Sequence, residues 1–64
     1  MNNVEKENMD NWLYARDLWF KDRDLYYRFL ASLSEREARE LVTSLFGYNE
    51  VEEQMATRNN YLTK

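Results

Sequence analysis

Apolar residues recur along most of this chain at helical spacing, and no stretch of useful length alternates with a period of two. The segment "DRDLYYRFLASL" places Leu25, Tyr26, Phe29, Leu30 and Leu33 on one stripe, with Tyr27 and Arg28 pointing away. It predicts a core-facing helix over about residues 23–33. In "LSEREARELVTSLFGYNE", the positions Ala38, Leu41, Val42, Leu45 and Phe46 share another stripe. Ser34 followed three residues later by Glu37 is a capping box, with Leu33 and Ala38 at the flanking staple positions. Gly47 is suited to the stop, because glycine takes positive φ at little cost. A helix over 35–46 follows, with Glu35/Arg39 and Arg36/Glu40 as outward i,i+4 pairs.

Beyond Gly47, Asn49 and Glu52 have capping-box spacing, and Glu50, Glu52 and Glu53 crowd a first turn where the helix dipole favours anions. A short helix over about 50–59 is expected, with Val51 and Met55 on its inner side and residues 60–64 frayed. Before residue 22 the pattern predicts a helix over about 8–21, with 1–7 frayed. Asp22 in "KDRD" is placed to cap the next helix, so a break there is favoured over a straight continuation. The fold class is all-α, a single domain of three to four short helices across residues 1–64.

The segment "NWLYARDLWF" is apolar almost all round. Trp12, Ala15 and Trp19 share a face, which Met9, Leu13 and Phe20 extend on one side, while Tyr14 and Leu18 lie beyond it on the other. The core is expected from Trp12, Trp19, Phe20, Tyr26, Phe29 and Phe46, since large rings bring a small bundle most of its burial. One short bundle cannot surround its own first helix, so Tyr14 and Leu18 are expected to face another molecule. The candidate partner-binding residues are Trp12, Tyr14, Arg16, Leu18, Tyr27, Arg28 and Tyr48, of which the Trp, Tyr and Arg positions are the types that dominate interface hot spots.

Composition narrows the chemistry. The chain has 64 residues, a net charge of −3, no histidine and no cysteine. Disulfides and the usual zinc sites are thereby excluded. A chain this short is marginal alone and gains from dense packing or a second subunit. Catalysis is not expected: Ser32, Ser34 and Ser44 have no histidine base, and a single glycine cannot build a phosphate loop. The carboxylates Asp22 and Asp24, or Glu50, Glu52 and Glu53, read as helix starts rather than a metal site, and no cofactor is expected. The polar, acidic N-terminus is unlike a signal peptide, and no run is long enough to span a membrane. A cytoplasmic location is expected.

Acidity is concentrated at 1–11, with Glu5, Glu7 and Asp10 against Lys6, and at 49–53. Nucleic-acid binders normally carry a basic face; this chain is matched instead to a basic surface on another protein. The expected function is a small acidic protein-binding module that inhibits or regulates its target, of the kind common among phage and mobile-element inhibitors of host enzymes. Homodimerisation through the first helix is compatible with it. The alternative comes from "LSEREARELV" followed by "FGYNEVEEQMATR", which over about residues 33–58 resembles the opening of LuxR-type and sigma-factor-type DNA-binding domains. That resemblance implies a helix-turn-helix transcriptional regulator. The departures are the acidic helix after Gly47 and the few residues beyond Arg58.

Overall fold

A computed structural model describes the backbone from Asn3 to Leu62 and side chains from Asp10 to Leu62. The described residues form four helices and no strand: α1 (Asn3–Lys21), α2 (Arg23–Ser32), α3 (Glu35–Phe46) and α4 (Tyr48–Leu62). Helices α1 and α4 each pack on both α2 and α3.

The junctions follow from local chemistry. Asp22 has extended backbone, and its carboxylate accepts from the N–H groups of Asp24 and Leu25 at 3.1 and 3.3 Å. It thus satisfies two donors that the start of α2 leaves unpaired, and α1 and α2 are separate helices. Both halves of the Ser34–Glu37 capping box form at the start of α3. Both expected outward pairs on α3 also form, Arg36–Glu40 at 3.6 Å and Arg39–Glu35 at 3.4 Å.

Gly47 ends α3 with φ 98° and ψ 173°, and its carbonyl accepts from Glu50 N–H at 3.3 Å. One residue therefore closes α3 and opens α4. This overturns the cap expected at Asn49, which sits inside the first turn of α4. The one-residue reversal leaves no approach segment in which Asn49 could stand outside the helix. Two end positions also shift. Helix α1 begins at Asn3 rather than near residue 8, and residues 60–62, expected to fray, continue α4. The remaining positions expected to fray, 1–2 and 63–64, lie outside the described residues.

The buried core is Ala15, Leu18, Tyr26, Leu30, Ala38, Leu41, Val42, Val51 and Met55, flanked by half-buried Trp12, Trp19, Tyr27, Phe29, Leu33, Leu45 and Phe46. Rings join the helices. Trp19 meets Tyr26 edge-on at 5.1 Å between centroids and Phe46 at 4.7 Å, which ties α1 to α2 and α3. Tyr26 is the hinge of the packing: fully buried, it donates a 2.5 Å hydrogen bond to Gln54 Oε1 on α4. Burial pushes its phenol well above the ordinary value near 10, with the neighbouring Tyr27 and Glu50 acting in the same direction.

The most consequential unexpected residue is Arg58, only 4% exposed. Its Nε donates to Leu30 carbonyl at 2.8 Å and its Nη2 to Leu33 carbonyl at 2.7 Å. Those carbonyls lie at the end of α2, where unpaired acceptors and the negative end of the helix dipole favour a cation. An arginine from α4 therefore caps α2 across the bundle. Val51, Gln54, Met55 and Arg58 form one buried stripe at helical spacing, so α4 docks with two polar anchors as well as two apolar ones.

Candidate functional site

The candidate partner-binding residues separate into three groups once the helices are packed. Leu18 belongs to the protein's own interior, and Tyr27, half-buried, packs against it. Leu18 is 8% exposed and part of the core, so its assignment to a partner-facing surface is corrected. Tyr27 does not point away from the core either. Its ring lies between Tyr26, edge-on at 5.0 Å, and Tyr61 of α4, stacked at 5.7 Å. Burial raises its phenol, and Arg23 opposes the shift. The extension of α4 through Leu62 supplies Tyr61, which also donates to Asp24 at 2.8 Å. That hydrogen bond to a carboxylate raises the Tyr61 phenol.

Tyr14, Arg28 and Tyr48 form the second group, exposed and each on a different helix. Tyr14 is about half-exposed, with its ring edge-on to Phe29 at 4.9 Å. Arg28 pairs with Asp24 at 3.0 Å on the α2 surface. Tyr48 is 83% exposed at the first position of α4. The third group, Trp12 and Arg16, lies on α1. Trp12 is half-buried, and the Arg16 guanidinium stands 5.7 Å from its ring centroid.

Three residues assigned to interior stripes are turned outward. Phe20 was expected in the core and is 75% exposed; Leu13, expected to extend the same face, is 49% exposed. Leu25 of α2 is also exposed, so the buried stripe of that helix is centred on Tyr26 and Leu30 instead. Leu13 and Phe20 are seven residues apart and nearly opposite Ala15 on α1, so they share its outer face. Arg16 and Asp17 stand between them in sequence, and Asp17 pairs with Lys21 at 3.1 Å. The Met9 side chain, expected on the same flank, lies outside the described residues.

A cleft of about 460 Å³ opens between α1 and α3. Trp12, Leu33 and Leu41 give it apolar lining, and Arg36, Glu37, Glu40, Asn11 and Ser44 give it a polar one. Among the described residues no cluster of three or more carboxylates is arranged to hold a metal ion. Asp22 is occupied as a cap and Asp24 by Arg28 and Tyr61. No described helix is long and apolar enough to cross a membrane. No protein-family model, curated protein or solved structure matches the chain.

Proposed function

We propose that this chain is a small acidic docking module that binds another protein through the outer face of α1 and regulates or inhibits it, without chemistry of its own. The carrying observation is the exposure of Phe20 and Leu13 on a helix whose opposite face already fills the core through Ala15 and Leu18. Exposed large rings on an ordered helix are what an interface anchor looks like before its partner arrives. The net charge of −3 favours a partner with a basic surface, and a host enzyme blocked by a phage-encoded or mobile-element protein fits that description. The setting is cytoplasmic in this reading.

Phe20→Ser and Leu13→Ser test it. Both positions are outside the core, so the circular dichroism spectrum should be unchanged. A stoichiometric partner retained from bacterial lysate by the parent chain should be lost by the double variant. Equal retention by both would move the interface elsewhere. The same face is open to a second copy, giving a homodimer through α1. Light scattering at micromolar concentration reads that directly: a mass at the 7.9 kDa of one chain removes the homodimer.

A nucleic-acid-binding regulator of helix-turn-helix type is the weaker reading. In such a domain the second helix approaches phosphate and base edges. The only Lys or Arg in α4 is Arg58, and it is buried against the end of α2. A gel shift with mixed-sequence DNA at low salt should therefore show no complex.

A further inference from the structure

The α1–α3 cleft has a chemistry of its own, distinct from the outer face of α1. Its α1 side offers the half-buried indole of Trp12. The α3 side offers the carboxylates of Glu37 and Glu40, with Arg36 as the single cation among the described lining residues. An aromatic face beside carboxylates is the combination that holds a guanidinium or ammonium group, by attraction to the ring quadrupole and to the negative charge together.

The chain already pairs both its tryptophans with arginine. The Arg23 guanidinium sits 3.6 Å from the Trp19 ring centroid and donates to the Trp19 carbonyl at 2.6 Å. That pair is closed. The corresponding contact at Trp12 is loose, with Arg16 5.7 Å away, near the outer limit for such an interaction, and Arg16 does not line the cleft. The carboxylates are also incompletely engaged. Glu40 meets Arg36 through a highly exposed 3.6 Å pair, which solvent weakens. Glu37 uses Oε1 for the capping box.

We infer that this cleft receives a cationic side chain, an arginine or lysine flanked by apolar residues, from a partner polypeptide. The aliphatic stem lies on the Trp12 indole beside Leu33 and Leu41, and the charged head meets Glu40 and Glu37. The inference deepens the docking function and rests on it, since it names what a basic partner would insert. In the free protein Arg36 competes with the incoming cation for Glu40.

The probe is a capped Gly-Phe-Arg-Phe-Gly peptide, with the uncharged citrulline peptide as control, titrated into the intact chain at low salt and followed by amide and indole N–H NMR. The Trp12 indole and the amides around Glu37 and Glu40 should shift with the arginine peptide, while the Trp19 indole stays in place as an internal reference. Glu40→Gln should weaken the peptide about two- to fivefold, the range for one exposed charge pair, and Arg36→Ala should tighten it by a similar factor. Both substitutions are on the surface and leave the core untouched. Tightening by Arg36→Ala is a response that a purely structural role of the α3 surface would not give.

Equal shifts with the citrulline peptide would overturn the inference, because the cleft would then be reading apolar contacts alone. The absence of shifts at Trp12 and α3 with millimolar peptide would overturn it as well. Shifts confined to Leu13 and Phe20 would overturn the cleft assignment while leaving the outer α1 face as the docking surface. The Phe20→Ser and Leu13→Ser comparison judges that surface independently.

Discussion

Arg58 and Gly47 carry more of this fold than their residue types announce. Arg58 is a buried cation held by two carbonyls at the end of α2. Arg58→Ala should strip the Leu33 carbonyl of its partner and leave the Leu30 carbonyl only the Leu33 N–H at 3.2 Å, at a cost of about 1.5–3 kcal/mol, since hydrogen bonds to charged groups are the strong ones. Arg58→Lys should recover only part of that, because one ammonium cannot reproduce the fork that reaches both acceptors. Urea unfolding of the three proteins checks the order, and a lysine variant as stable as the parent would refute the fork. At Gly47 an added Cβ meets no atom within 4 Å, so crowding is not the obstacle. The obstacle is backbone: φ 98° with ψ 173° lies in a region that is essentially glycine's alone. Gly47→Ala should cost about 1–3 kcal/mol in the same assay, and an unchanged midpoint would mean the junction relaxes freely.

At the scale of the helix, boundaries were legible wherever a side chain satisfies the backbone locally. Asp22 and Ser34 each accept from N–H groups two or three residues ahead, so their positions alone marked the starts of α2 and α3. Asp22→Ala should destabilise by about 0.5–2 kcal/mol, and Asp22→Asn by less, since the amide oxygen still accepts. A full loss with asparagine would point to charge rather than capping. Helix α4 runs longer than its thin apolar content predicts. Its stripe was nevertheless present in the spacing of Val51, Gln54, Met55 and Arg58. A stripe need not be apolar: a polar residue belongs in one when tertiary partners meet it, as the Tyr26 hydroxyl donates to Gln54 and the Leu30 and Leu33 carbonyls accept from Arg58.

Across the whole molecule, the tyrosines make stability sensitive to alkali. Tyr26 and Tyr27 are raised chiefly by burial, and Tyr61 by its hydrogen bond to Asp24. A phenol whose folded value is raised loses its proton first in the unfolded chain. Above about pH 10 the unfolded state therefore binds fewer protons, and stability falls as pH rises. Thermal melts should be level through neutral pH and drop from about pH 10 upward, and Tyr26→Phe should flatten that slope while lowering stability at pH 7 by leaving Gln54 Oε1 without its donor. A slope unchanged by Tyr26→Phe would remove this residue as its source. The sequence by itself determined the helical class, the caps at Asp22 and Ser34, the stop of α3 at Gly47 and the inner stripe of α3, because each depends on neighbours within one or two turns. Tertiary structure alone decided which flank of α1 meets solvent. Leu18 and Phe20 stand at nearly equal angles on either side of the Trp12–Ala15–Trp19 arc, so periodicity cannot choose between them. The placement of α2 and α3 against Ala15 chooses, burying Leu18 and leaving Phe20 outside. It likewise packed Tyr27 against the core and Tyr61 and made Arg58 a cap for a helix 28 residues away along the chain, contacts that no local pattern encodes.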